Sequence, residues 1–211
     1  MSNTLKSILA AVAVFSLLAA SSASAGVLNG HPLAYNNGVS WTGTSAYTNG
    51  LAAPNDLTGT VDYAVFTAAD FGTAFPGSSY VPTNGLVYAY QVLNDGTFAV
   101  SAEIVGVNNP ASGIGQFENT VGEVASSFFG FDSGGNAVFN FTNPFIGTGQ
   151  NSYILAFSSP QEPILGSSIT VDGGTFGVSL VPTPGPNGIP EPSSVVLVVA
   201  GLVGVCTRRR R

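Results

Sequence analysis

The sequence predicts an all-β chain: a single β-sandwich of seven to nine strands, with an N-terminal signal peptide and a C-terminal single transmembrane helix. Three observations carry this. Between Val39 and Val181, Gly, Asn and Pro interrupt nearly every window that could hold an amphipathic helix. β-Branched and aromatic residues fill the intervening runs, as strands require. Each end of the chain carries an uncharged apolar run beside basic residues.

Met1 to Ala25 has the layout of a secretory signal. Lys6 supplies the positive start, Ile8 to Ala20 the apolar stretch, and Ala23-Ser24-Ala25 the small-x-small pattern accepted at a cleavage site. Cleavage is expected between Ala25 and Gly26. Residues 26–181 then form the β domain, 182–188 a Pro/Gly linker, and 189–211 a tail.

Within the domain, Val39 to Thr48 and Val61 to Thr67 read as strands. Leu86 to Leu93 is apolar on both faces apart from Gln91, as an interior strand is. Asn94-Asp95-Gly96 reads as a hairpin turn into Thr97 to Val107. There, alternation puts Phe98, Val100, Ala102 and Ile104 on one face and leaves Ser101 and Glu103 on the solvated one. A second hairpin joins Ser126–Asp132 to Asn136–Thr142 across Ser133-Gly134-Gly135, with Phe129 and Phe131 facing Phe139 and Phe141. Ser152 to Phe157 and Thr175 to Val181 complete the strands. Regular short strands separated by turn residues favour a sandwich over a barrel.

Charge excludes several functions. All five basic residues lie in the terminal segments. From Gly26 to Ile189 there are ten acidic residues and no Lys or Arg, so a nucleic-acid role has no cation to neutralise phosphate. The one cysteine, Cys206, is in the tail, so the domain has neither disulfide nor thiol.

Catalytic candidates are sparse. The single histidine, His31, sits in a turn of a mobile N-terminal segment, which argues against a Ser-His-Asp triad. Glu103, Glu118 and Glu123 could in principle supply a glycosidase pair, but solvation is the ordinary role for such carboxylates. The chain is therefore expected not to be an enzyme. Calcium is the cofactor the composition favours, with Asp132 and Asn136 as ligands; the competing reading gives both residues to hairpin geometry. For a sugar-binding face the candidates are Trp41 and Tyr47, whereas Tyr88 and Tyr90 share a face with Leu86 and Val92 and belong to the core.

The tail is the most specific segment. Pro190-Glu191-Pro192 breaks regular structure, Val195 to Val205 is apolar and uncharged, and Arg208, Arg209, Arg210 and Arg211 form a cytoplasmic stop by the positive-inside rule. Ser193 to Thr207 is 15 residues, about 22 Å of helix against a hydrocarbon core of about 30 Å, which suits a temporary anchor. This order closely resembles the PEP-CTERM sorting signal. The domain also resembles uncharacterised β-rich bodies of that group, over Leu86–Val107 and Phe128–Val181. The resemblance implies recognition by an exosortase, a membrane transpeptidase-like enzyme, with cleavage near Pro-Glu-Pro. It further implies export through the inner membrane to the cell envelope, cell surface or extracellular matrix of an exopolysaccharide- and biofilm-forming Gram-negative bacterium. The function expected is a structural or adhesive component, with polysaccharide as a possible partner. The alternatives are a carbohydrate-binding module and a surface glycoside hydrolase.

Overall fold

The computed structural model describes residues 27–83, 85–107 and 111–186. The expected signal peptide, its cleavage residues, the Pro-Glu-Pro motif and the tail helix lie outside the described residues. Among those described, no helix is long and apolar enough to cross a membrane.

Eleven strands and one short helix are described, in two antiparallel sheets. The first sheet contains β1 (Thr42–Thr48), β2 (Thr58–Thr67), β3 (Leu86–Asn94), β9 (Ile154–Ser159) and β5 (Ser112–Phe117), in that spatial order. The two-residue β8 (Gln150–Asn151) also pairs with β3. The second sheet runs β11 (Phe176–Pro184), β10 (Pro163–Val171), β4 (Ala102–Val105), β7 (Ala137–Asn140) and β6 (Phe128–Phe131).

The two sheets share one core. Leu86, Tyr88, Tyr90 and Val92 on β3, with Leu155 and Phe157 on β9, pack in a single cluster with Val105, Phe139 and Val181 of the second sheet. Tyr88 and Phe157 stack with centroids 5.4 Å apart, and Phe131 meets Phe157 edge-on across the layers. The buried tyrosine hydroxyls donate to main-chain carbonyls: Tyr47 to Leu93 and Tyr88 to Gln161. Their aromatic bodies can therefore be buried without an unpaired hydroxyl.

β3 is apolar on both faces because it is covered on both. Its other face, Val87 and Ala89, joins Ala64 and Phe66 of β2 and Ala156 of β9 beneath α1 (Ala68–Ala74). This helix was not expected. Its start is nonetheless written in the sequence: the Thr67 hydroxyl accepts from the Asp70 amide as an N-cap and donates to the Asp70 carboxylate. Phe71 packs down one turn before Phe75. The N-terminal segment is also pinned here, since His31 lies edge-on to Phe66 at 5.1 Å and beside Phe75 at 5.8 Å. It is an ordered turn on an aromatic cluster, which replaces the expectation of a mobile one.

Several further expectations are corrected. Asn94-Asp95-Gly96 does not make a hairpin. β3 is already paired with β2 on one side and with β9 and β8 on the other, so no edge remains for the following strand. The chain instead crosses to the second sheet, where β4 lies between β10 and β7. The alternation in Thr97–Val107 also slips. Val100 is buried, but the next inward residues are Glu103 and Val105, so the inward side advances by three positions instead of two. A one-residue slip reverses every later side chain, so Glu103 points into the core. Finally, Pro182 and Pro184 belong to β11, not to a linker beginning at residue 182. The Leu180 amide, two positions before Pro182, donates away from β10 to Ser45. Both proline nitrogens share that outward direction, so neither removes a ladder hydrogen bond. β5, β8 and β10 were also unanticipated, whereas the β6–β7 hairpin has the expected turn, with Phe129 paired to Phe139.

Close packing gives a test. A Cβ on Gly59 would collide with the Leu93 carbonyl oxygen and the Tyr47 hydroxyl, whereas one on Gly72 of α1 meets nothing within 4 Å. Gly59→Ala is expected to lose about 3 kcal/mol or more, because main chain must move. Gly72→Ala is expected to gain roughly 0.5–1 kcal/mol from helix propensity. Urea denaturation of the two variants measures both, and equal stability would refute the packing argument.

Candidate functional site

Glu103 is the most perturbed carboxyl. It is fully buried on the central strand of the second sheet, opposite Thr170 on one side and Phe139 on the other. The Thr170 hydroxyl donates to Oε2 at 2.6 Å, while Oε1 finds no partner among the described residues. Burial pushes its pKa up to about 7, and hydrogen bonding from Thr170 and Ser168 offsets only part of that. A carboxyl sealed between two sheets cannot reach a substrate, so Glu103 is a poor acid/base candidate despite its titration range.

Glu118 and Glu123 occupy separate depressions. Glu123 lines one of about 210 Å³ with Gln91, Gln150 and Asn151. Its Oε1 accepts from Gln91 Nε2 at 2.7 Å and its Oε2 from the Asn119 amide. Glu118 lines another, of about 350 Å³, beside Phe75 and Phe117. The three carboxylates considered for glycoside hydrolysis are thus distributed over the core and two surface depressions.

The candidate sugar-binding aromatics part company. Tyr47 is 1% exposed and its hydroxyl is committed to Leu93, so no ring face is open to a ligand. Trp41 is half-buried and retains surface. Its Nε1 donates to Asn37 Oδ1 at 3.0 Å, and Asn37 Nδ2 donates to Glu162 Oε2 at 3.1 Å. The Tyr35 hydroxyl donates to both Glu162 oxygens at 2.8 Å, which holds its own pKa above the usual phenol value. Trp41, Tyr35, Asn37 and Glu162 therefore form one exposed polar–aromatic cluster. Glu162 is distant in sequence from Tyr35 and Trp41, and nothing in its surroundings announced the contact.

At the candidate calcium position, Asp132 Oδ1 accepts from the Gly134 and Asn136 amides and Oδ2 from Asn136 Nδ2. These hydrogen bonds hold the Asp132 carboxyl below its ordinary pKa and are those of a side chain bracing its hairpin. No group of three or more His, Cys, Asp or Glu side chains suited to a metal occurs among the described residues.

Of the three candidate carboxylates, then, Glu103 is sealed in the core, while Glu118 and Glu123 line different surface depressions. The remaining information comes from comparison. Residues 188–211 match a family model described as the PEP-CTERM protein-sorting motif. That motif supports an exported protein sorted by an exosortase and bound for the cell envelope or surface. No curated protein and no solved structure matches the chain.

Glu103 makes stability depend on pH with a definite sign. The unfolded chain releases this proton near 4.5, the folded chain near 7. The contribution of Glu103 to stability is therefore greatest below the first value, declines as pH rises between the two, and levels off above. Glu103→Gln is expected to flatten that decline and to melt higher than the native protein at pH 8 but not at pH 4. Thermal melts across this range are the check, and parallel profiles would remove Glu103 as the cause.

Proposed function

We propose that the protein is a non-enzymatic structural or adhesive component of the cell surface or exopolysaccharide matrix, delivered there by exosortase processing of its tail. The observation that carries this is the sorting motif at residues 188–211. The domain supports it in two ways. It has no Lys or Arg between Gly26 and Ile189, and its composition is rich in Asn, Ser and Thr, which suits a hydrated polysaccharide setting. Its carboxylates are sealed in the core or scattered, which supports a role without catalysis. In this reading Pro190, Glu191 and Pro192 are the recognised residues, the apolar run holds the precursor in the inner membrane, and the four arginines remain in the cytosol.

The test is processing in the native host. The mature protein is expected to begin at Gly26, to lack the arginine cluster and to be recovered from the envelope or matrix. Replacing Pro190, Glu191 and Pro192 with Ala is expected to leave a tail-bearing precursor in the membrane fraction. Mass spectrometry of both ends reads the result, and a native chain recovered in the cytosol with both ends intact would overturn the proposal.

The Trp41 cluster favours a second reading, a carbohydrate-binding module. An indole beside paired Asn and Glu side chains is a usual way to present a flat apolar surface with adjacent hydrogen bonds to a sugar ring. Trp41→Ala is expected to weaken binding to any recognised glycan at least tenfold on a glycan array. Unchanged binding, or none by the native protein, rejects that reading.

A further inference from the structure

The two sheets treat their outer faces differently. The outer face of the first is covered by α1 and the N-terminal segment, which bury Leu28, Phe66 and Phe71. No described element covers the outer face of the second, yet that face is apolar. Register shows this row by row. Val178, Ile169, Ile104, Val138 and Gly130 are paired in succession across all five strands. Beside them run Phe176, Val171, Ala102, Asn140 and Phe128. Leu180 and Leu165 extend the surface and are 60% and 62% exposed.

The β10–β11 hairpin is inverted relative to an ordinary surface hairpin. Ser168, Thr170, Ser179 and Thr183 are buried, while Phe176, Val178 and Leu180 face water. An apolar patch of this extent is at the upper end of what a monomer exposes, and patches of that size are often functional.

We propose that this face is a self-association surface, on which a second copy of the chain packs sheet against sheet. The absence of charge across the rows lets two copies meet there, and only their acidic bodies repel at longer range. The face carries no ionised side chain, and the acids nearest to it, Asp132, Glu162 and Asp172, lie in the flanking turns and loops. A basic partner would be drawn to those margins and would gain nothing over the apolar rows. A polysaccharide would find few hydrogen-bonding side chains in them. An identical sheet has matching twist and matching apolar rows, and two such faces pack in the aligned manner of a sandwich. The symmetric arrangement is a two-fold, isologous pair.

Area sets the strength. With strands about 4.8 Å apart and about 3.4 Å of rise per residue, the face measures on the order of 500 Å². Two copies would bury about 1,000 Å², the lower bound for a specific interface. The pair is therefore weak and forms where local concentration is high, so the proposal rests on the surface or matrix destination proposed above.

The domain's lack of cysteine makes the test direct. In the full chain expressed in its host, Cys206→Ser is combined with Val178→Cys, and the cells are treated with a short bis-maleimide. A covalent species of twice the chain mass, containing only this chain by mass spectrometry, is expected. Adding Leu180→Asp, or separately Leu165→Asp on the neighbouring strand, is expected to reduce it at least tenfold. Both positions are solvent-facing, and unchanged melting temperatures of the purified processed proteins verify that folding survives. Raising salt is expected to increase the yield, because the acidic domains repel each other less. Val121→Cys, 95% exposed on a loop, is the control and is expected to stay monomeric.

Four results would overturn the proposal: equal cross-linking at Val121→Cys, a product containing a different protein, no effect of either aspartate, or no product at all. With Cys206 retained, an intrachain bridge to Val178→Cys and no dimer would assign the face to the chain's own tail, and would likewise overturn it. Tail processing is read in the same cells. Normal processing without cross-linking rejects the face alone, whereas an unprocessed cytosolic chain rejects the destination.

Discussion

β3 is buried on both faces and paired along both edges, and much of the architecture follows from this. With Tyr88 and Tyr90 turned toward the second sheet, β3 requires that sheet to exist. With Val87 and Ala89 turned the other way, it also requires a cover, which α1 and the His31 turn provide. With β2 and β9 on its edges, it forces the chain after Asn94 to leave the sheet. A single strand buried in this way fixes the order of layers as helix, sheet, sheet. Burial of its side chains is the main favourable term.

That order leaves the second sheet as the outermost layer. Its inner face is unusual, since β10 and β11 send serines and threonines into the interior beside the buried Glu103 carboxyl. Such a face contributes less hydrophobic stabilisation than an aliphatic one. Ser168 and Ser179 recover part of this by hydrogen bonding to each other at 2.7 Å. The stability of this half of the molecule is accordingly more sensitive to protonation and to what lies against its outer surface.

Much of this was legible in the sequence, and the exceptions have physical causes. The Ser133-Gly134-Gly135 turn fixed its hairpin, and the uninterrupted apolar run of β3 marked an interior strand. Glu103 was misread because alternation assumes an unbroken period of two, and the slip after Val100 is set by pairing with β10 and β7. The helix was missed because seven residues containing Gly72 and Thr73 give little periodic signal, although its cap was visible. β10 was missed because its residues facing inward are Ser168 and Thr170, so the strand lacks the usual alternation of apolar inside and polar outside. The sorting tail was legible because it is a linear signal. The Trp41 cluster was not, because Glu162 reaches it only through the fold.

The end of β11 bears on the tail. Pro184 is still paired, opposite Pro163, and the Pro-Glu-Pro motif begins six residues later. An extended chain covers at most about 20 Å over that interval. If the tail is held in the inner membrane as proposed, the folded body would ride close above the lipid headgroups before release, with little clearance for a protease from outside. A cutting enzyme embedded in the bilayer could approach from below, so the short tether would favour it over any soluble competitor.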